Sequence, residues 1–173
     1  MNKIITRNCA KFIRSKLNMW TISKTLIAQI RTLEEYQNAQ NVMLYYPKDD
    51  EPDLRALTDD NKNFYLPRIE KGILVSCPWQ TDDKLELSTF NVYEPKTNAI
   101  SPQELDLIIT PGLCADINKN RLGYGKGCYD EFLPHCNAVV IFPIPDELLF
   151  NSIPSEPHDI KPHIIVTPTK IIK

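Results

Sequence analysis

Apolar residues near the N-terminus recur at helical spacing and predict one amphipathic helix over residues 2–18. The residues on its expected face are Ile4, Ile5, Phe12, Ile13 and Leu17. A second helix is expected to begin at the cap candidate Thr21. Its apolar face would consist of Leu26, Ile27, Ile30 and Leu33.

Short apolar runs separated by polar turns follow these two helices and predict strands. The predicted strands are residues 41–47, 63–69, 72–77, 84–90, 105–111, 137–143 and 162–168, the last being the final element. Three shorter helices are expected at 52–60, with proline in the first turn, at 129–135 and at 145–153. Strands that alternate with helices predict an α/β fold. We expect a single domain over residues 1–173, with a mostly parallel central sheet flanked by helices.

Composition narrows the function classes. The formal net charge of −2 argues against general binding to nucleic acid or to a membrane surface. No apolar run approaches the roughly 20 residues that span a bilayer. Five cysteines, without a CxxC pair or a signal peptide, predict reduced thiols and a cytoplasmic protein. A monomer is the default expectation, although no pattern in the sequence decides the oligomeric state. The basic start, with no acidic residue before Glu34, also has features of an organelle transit peptide, and that alternative stays open.

Four of the five glycines lie at Gly112, Gly123, Gly125 and Gly127, just beyond the predicted strand 105–111. Open α/β sheets bind ligands beyond the carboxyl ends of their strands. The spacing fits neither a Walker A loop nor a dinucleotide fingerprint. The RNA-recognition octamer is matched only in part, because its first, basic position holds a leucine.

Charged residues around these glycines suggest phosphate chemistry. Backbone amides of a glycine-rich loop converge on anions, and Arg121 and Lys126 supply positive charge. Asp130 follows where a carboxylate suits a magnesium ion that bridges phosphates. A tight turn with solvated polar residues is the alternative reading of the same pattern.

The segment "PGLCADINKNRLGYGKGCYDEFL", residues 111–133, resembles the signature of the 5-formyltetrahydrofolate cyclo-ligase family, roughly PGLxFDxxGxRLGxGxGYYDxxL. The agreeing positions are Pro111, Gly112, Leu113, Asp116, Arg121, Leu122, Gly123, Gly125, Gly127, Tyr129, Asp130 and Leu133. Three positions depart: Ala115 replaces a phenylalanine, Lys119 a glycine and Cys128 the first tyrosine.

This resemblance implies an ATP- and Mg²⁺-dependent cyclisation of 5-formyltetrahydrofolate to 5,10-methenyltetrahydrofolate, with Lys126 and Arg121 as catalytic residues. A basic pair on the first helix, Lys3 and Arg7, would contact ATP. A solvated basic face is the alternative, and Lys11 with Arg14, three residues apart, is a poorer competing pair. The glycine loop would complete the ATP site with Arg121, Leu122, Gly123, Tyr124, Gly125, Lys126, Gly127, Cys128 and Tyr129.

The folate substrate would contact Tyr46, Glu51, Tyr124 and Tyr129, although a charged surface turn is the alternative for Glu51. The resemblance implies Asp130 and Asp159 as the magnesium ligands. The departures from the signature leave a second function open, a non-catalytic relative that binds folate or nucleotide.

Overall fold

Asparagine side chains begin the two long helices of the chain. The computed structural model describes residues 2–173, and there the Asn2 side chain accepts a hydrogen bond from the Ile5 amide at 2.9 Å. Asn18 caps the second helix by accepting from the Thr21 amide at 3.2 Å, so the cap predicted at Thr21 is wrong. The α-helices are α1 (Lys3–Arg14), α2 (Met19–Thr32), α3 (Glu34–Asn38) and α4 (Cys128–Phe132).

Each of the seven predicted runs overlaps a strand, and five short strands were not predicted. They are β1 (Asn41–Met43), β2 (Asn63–Glu70), β3 (Ile73–Pro78), β4 (Leu85–Leu87), β5 (Tyr93–Pro95), β6 (Leu107–Ile109), β7 (Cys114–Asp116), β8 (Arg121–Leu122), β9 (Val139–Pro143), β10 (Leu149–Phe150), β11 (Ile164–Val166) and β12 (Ile171–Ile172). Single 3₁₀ turns occupy Arg55–Asp59, Pro102–Glu104, Leu133–His135 and Asp146–Leu148.

The central sheet has seven strands in the order β12-β11-β9-β6-β1-β2-β3. Its interior pairings, from β11 through β9, β6 and β1 to β2, are all parallel. Antiparallel partners close the two edges, β3 beside β2 and β12 beside β11. The predicted α/β fold with a mostly parallel sheet is confirmed.

Alternate residues of the central strands point to opposite faces of the sheet, and each face is covered. On one side, Val42 and Leu107 lie in the cluster that contains Leu26 and Ile30 of α2. On the other side, Met43, Ile108 and Val140 lie in the cluster that contains Phe132 of α4. Because both faces are buried, the strands are near-continuous apolar runs.

Helix α1 is present as predicted, but its buried face is not the apolar one. Its buried residues are Thr6, Ala10 and Arg14, whereas Ile4 and Phe12 are 66% and 67% exposed. Periodicity locates a helix but does not decide which face the rest of the fold covers. In this helix the small and cationic face turns inward.

Two other predicted helices and the end of the chain differ from expectation. Residues 145–153 form one 3₁₀ turn followed by β10, because Leu149 pairs in parallel with Ala115 of β7. Residues 52–60 form a 3₁₀ turn over Arg55–Asp59, without Pro52 in its first turn. The strand predicted to be last is followed by β12, which pairs antiparallel with β11.

Within residues 2–173, none of the helices combines the length and the apolar character needed to cross a membrane.

The loop after β7 is organised by a buried aspartate. Asp116 accepts hydrogen bonds from the amides of Asn118, Asn120 and Ile153 at 2.9–3.0 Å. Lys119, within this loop, has a φ of 62°, in the left-handed region. This backbone conformation accounts for the glycine that the cyclo-ligase signature has at that position.

Replacing Lys119 with glycine is expected to raise the free energy of unfolding by about 0.5–1 kcal/mol. The strain of a left-handed lysine, about 1–2 kcal/mol, exceeds the backbone entropy that glycine adds to the unfolded chain. Denaturant titration of K119G checks this, with K161G as the matched control. Both lysines donate one exposed hydrogen bond to a backbone oxygen, but Lys161 has no positive φ. Equal destabilisation of the two variants would contradict the assignment.

Candidate active site

One cavity of about 570 Å³ contains every residue that the sequence predicted for the site. It opens beyond the carboxyl ends of β1 and β6, as expected for a parallel sheet. The predicted residues that line it are Lys3, Arg7, Tyr46, Glu51, Arg121, Leu122, Gly123, Tyr124, Gly125, Lys126, Gly127, Cys128, Tyr129, Asp130 and Asp159.

Two glycines of the loop are required by its backbone. Gly125 and Gly127 have φ values of 93° and 72°, which L side chains rarely adopt. A Cβ atom at Gly125 would also lie 3.2 Å from the guanidinium carbon of Arg7. Arg7 in turn donates from Nε to the Gly123 carbonyl at 2.9 Å. The predicted basic pair on α1 therefore reaches the glycine loop through Arg7.

Lys126 is the exposed cation of the loop. Its side chain lines the cavity, and within residues 2–173 no carboxylate lies within ion-pair distance of its ammonium group. Arg121 differs, because its side chain is only 4% exposed and pairs with Asp130 at 3.0 Å. Arg121 also donates to the Pro111 carbonyl at 3.2 Å. Of the two predicted catalytic cations, Lys126 is the one free to meet a ligand.

Asp130 is hydrogen-bonded to the residue that follows Asp159, although it is not in the cluster of potential metal ligands that contains Asp159. Asp130 Oδ1 accepts hydrogen bonds from Arg121 and from the Ile160 amide at 3.1 Å. Its Oδ2 accepts none from the described residues. The two predicted metal ligands thus face one cavity from α4 and from the loop before β11.

Lys3 pairs with the carboxylates at this end of the cavity. Its ammonium nitrogen lies 2.8 Å from Asp159 and 2.8 Å from Glu156. Burial opposes charge on Asp159, but the hydrogen bonds from Lys3 and from the Glu156 amide outweigh it and lower the pKa of Asp159. Ligand atoms of Glu156, His158 and Asp159 lie within 4.8 Å of one another, as a metal site requires.

Glu51 ends a turn in which its amide donates to the Lys48 carbonyl, but its carboxylate is buried in the cavity, so the alternative of a charged surface turn does not hold for its side chain. It is 5% exposed, whereas Asp49 of the same loop is exposed. The Tyr124 hydroxyl donates to its Oε1 at 2.6 Å, and the Lys48 amide donates to its Oε2 at 2.9 Å. Burial raises the pKa of Glu51, and these hydrogen bonds offset only part of that rise.

Aromatic rings flank Glu51. Tyr46 packs against Tyr93 with ring centroids 5.1 Å apart and accepts a hydrogen bond from Arg55. The Tyr129 hydroxyl is buried and has no hydrogen-bond partner among residues 2–173. Cys128, which replaces the other tyrosine of the signature, also lines the cavity. A planar ligand with polar edges could pack against these rings and form hydrogen bonds with Glu51 and the Tyr129 hydroxyl.

Several lining residues were not predicted from the sequence. Phe90 and Val92 come from the β4–β5 hairpin, and Ile69 and Leu74 from β2 and β3. Phe90 lies between β4 and β5 and is 41% exposed, whereas the sequence placed it at the end of the predicted strand 84–90, so no local signal marked it as a cavity residue. The others follow an ordinary strand pattern, so only the folded chain brings them to the cavity.

A parallel sheet, a glycine loop with the unpaired cation Lys126, and the carboxylates of Asp130 and Asp159 lining the same cavity define an α/β enzyme with an anion-binding site. A family model described as the 5-formyltetrahydrofolate cyclo-ligase family matches residues 11–168. The chain belongs to the 5-formyltetrahydrofolate cyclo-ligase family. The predicted family and the prediction of an enzyme are thereby confirmed.

Individual relatives agree with this family. The 5-formyltetrahydrofolate cyclo-ligase of Haemophilus influenzae is 33% identical over 122 residues, which span 65% of this chain and 65% of that protein. A probable 5-formyltetrahydrofolate cyclo-ligase of Schizosaccharomyces pombe is 30% identical over 177 residues, covering 87% and 86% of the two chains. The NMR structure of Aquifex aeolicus 5,10-methenyltetrahydrofolate synthetase has a TM-score of 0.88 and 26% identity, covering 99% of this chain and 92% of that one.

Proposed function

We propose that this chain cyclises 5-formyltetrahydrofolate to 5,10-methenyltetrahydrofolate with ATP, releasing ADP and phosphate. The observation that carries the proposal is one cavity lined by two chemically different groups of residues. One is the glycine loop with Arg7 and Lys126, the other is a buried carboxylate with tyrosines, and the two meet at Tyr124, which donates to Glu51. Such a cavity suits a triphosphate and a pterin ring held side by side.

The chemistry accounts for the phosphate side of the cavity. A formyl oxygen on N5 is a poor leaving group, so this oxygen attacks the γ-phosphorus and the bond to ADP breaks. N10 then attacks the activated formyl carbon and loses its proton, while the carbon–oxygen bond breaks and phosphate leaves. Phosphoryl transfer requires mainly positioning and charge neutralisation from the protein.

Lys126 and Arg7 are suited to that role. The Lys126 ammonium group is unpaired in the described part of the chain, and Lys126 lines the cavity between Gly125 and Gly127. Arg7 is held against the loop by the Gly123 carbonyl. We assign Lys126 to the transferred phosphoryl group and Arg7 to the nucleotide phosphates. Arg121, buried against Asp130, orients that carboxylate.

The carboxylates of Asp130 and Asp159 fit a magnesium ion. Asp130 keeps one oxygen without a hydrogen bond, and Asp159 lies within a cluster of potential ligand atoms. Magnesium favours one or two carboxylates together with water and substrate phosphates. When bound, the ion would neutralise charge on the phosphates during transfer. Lys3, which pairs with Asp159, would then become available to the nucleotide.

The folate side uses Glu51 and the tyrosines. An ionised Glu51 accepts hydrogen bonds, and pterin nitrogens are donors, so this buried carboxylate orients the ring through charge-assisted bonds. Tyr46 and Phe90 contribute apolar surface to the same part of the cavity. The Tyr129 hydroxyl supplies a buried donor that lacks a partner within residues 2–173.

Absorbance in the methenyltetrahydrofolate band tests the proposal. Purified protein with 5-formyltetrahydrofolate and Mg²⁺ is expected to show a rise only when ATP is added, and EDTA is expected to abolish it. A flat trace from folded protein that still binds 5-formyltetrahydrofolate would contradict the proposed activity. That result would favour the non-catalytic relative, and C128Y, which restores the tyrosine of the signature, would be the next variant to test.

A further inference from the structure

Arg14, at the end of α1, is a buried cation outside the cavity. It is 1% exposed and does not line the cavity. Its Nη2 donates to the carbonyls of Gly112 and Leu113 at 2.5 and 3.1 Å. Its Nη1 donates to the Tyr124 hydroxyl at 3.0 Å. One guanidinium group thus joins α1, the turn after β6 and the glycine loop.

The hydrogen bonds continue from this arginine to the folate side of the cavity. The Tyr124 hydroxyl accepts from Arg14 and donates to Glu51 at 2.6 Å. A hydroxyl has one proton, so the bond from Arg14 leaves that proton directed at the carboxylate. Arg14 therefore determines the direction of the bond that Glu51 receives.

A hydrocarbon side chain would fill this position without the cost of burying a charge. The guanidinium is not even fully satisfied, because its Nε has no hydrogen-bond partner among residues 2–173. Simple packing therefore does not account for an arginine here. Its three hydrogen bonds all fix segments that form the cavity walls.

We propose that Arg14 is a positioning residue for the folate substrate, acting through the Tyr124 hydroxyl on the Glu51 carboxylate. This inference rests on the proposed function of Glu51. The effect of Arg14 reaches the folate side of the cavity, whereas Arg7 and Lys126 serve the nucleotide. Loss of Arg14 therefore affects the two substrates unequally.

The first test is the R14M variant in steady-state kinetics with each substrate varied. We expect the KM for 5-formyltetrahydrofolate to rise about tenfold or more, since hydrogen bonds to charged groups contribute on this scale. The KM for ATP should change less than about threefold. R31M is the control, because Arg31 is an exposed arginine of α2 that pairs with Asp60 outside the cavity. Equal changes in both KM values would overturn the proposal.

A double-mutant cycle with Y124F tests the route. If Arg14 acts through the hydroxyl, R14M should add little to the folate KM once that hydroxyl is absent. Additive effects of the two substitutions would overturn this route. Y124F alone should also raise the folate KM, and this remains measurable if R14M does not fold. An unchanged folate KM in Y124F would contradict the proposal.

The pH profile separates positioning from general loss of structure. Burial raises the pKa of Glu51, and the positive charge of Arg14 acts against that rise. As the pH is lowered, folate binding by R14M should therefore weaken at a higher pH than folate binding by the unmodified protein. Of the other ionisable groups around this carboxylate, Asp50 adds to the rise in the pKa of Glu51. Tyr45, Tyr124 and Tyr129 stay neutral on the acid side, because burial and the Glu51 charge raise the pKa of each. An unshifted acid limb would count against Arg14.

Binding of 5-formyltetrahydrofolate without ATP keeps this inference separate from the proposed activity. If the unmodified protein binds the folate but does not turn it over, the proposed activity fails while R14M still tests the link in affinity. If turnover occurs and R14M binds folate as tightly as R31M does, the positioning role of Arg14 is contradicted and the proposed activity stands. If the unmodified protein does not bind the folate, both fail.

Discussion

Replacing Lys126 with alanine is expected to lower kcat by about 10²–10³-fold. Lys126 is the exposed, unpaired cation of the described glycine loop, and we propose that it stabilises charge on the transferred phosphoryl group. Loss of one such transition-state contact typically costs about 2.7–4 kcal/mol. Initial rates from methenyltetrahydrofolate absorbance at saturating ATP and folate measure the effect.

The control for this variant is K161A, which also removes one lysine charge. Lys161 donates to the Asn118 carbonyl at 3.0 Å and does not line the cavity. Its kcat should stay within about twofold of the unmodified protein, as expected for a surface substitution away from the site. A K126A enzyme as fast as K161A would remove Lys126 from the proposed mechanism.

Replacing Glu51 with glutamine is expected to raise the KM for 5-formyltetrahydrofolate by about 10–100-fold. Glutamine has nearly the same shape but lacks the negative charge, and hydrogen bonds to charged groups contribute about 1.5–3 kcal/mol. The KM for ATP should change less, because within residues 2–173 Glu51 is hydrogen-bonded to neither Arg7 nor Lys126. Kinetics with each substrate varied in turn distinguish these outcomes.

Glu51 should also set the acid limb of folate binding. Burial raises its pKa, so the carboxylate is ionised above that raised value and protonated as the pH falls through it. As the pH is lowered, the folate KM of the unmodified protein should therefore begin to rise at a higher pH than it would if Glu51 had the pKa of an exposed glutamate. E51Q should lack this limb, whereas D49N, at an exposed position of the same loop, should keep it. Retention of the limb in E51Q would assign it to another group.

Local sequence patterns were sufficient to predict the central sheet and many of the residues that line the cavity. The buried runs around Leu107 and Val140 predicted parallel strands because both faces of such strands are apolar. The glycine loop was recognisable because Gly125 and Gly127 adopt backbone angles that other residues rarely do. The backbone at Lys119 also explains why the signature has glycine at this position, because its φ angle lies in the left-handed region.

Pairings between distant parts of the chain were not predictable in this way. The sequence pattern predicted a helix over 145–153, but Leu149 pairs with Ala115, so part of this segment forms a strand. Helical periodicity likewise named the apolar side of α1 as its buried face, whereas the fold covers Ala10 and Arg14. Periodicity reports what an isolated element favours, and tertiary contacts override it.

By itself, the sequence determined the fold class, the family and the residues that gather around one cavity. Only the tertiary structure decided how those residues are joined: Tyr124 to Glu51 across 73 positions, and Lys3 to Asp159 across 156. The physical reason is that spacing within a segment specifies backbone conformation. The partner of a buried charge, in contrast, is set by which segments the packed sheet and helices bring within about 3 Å.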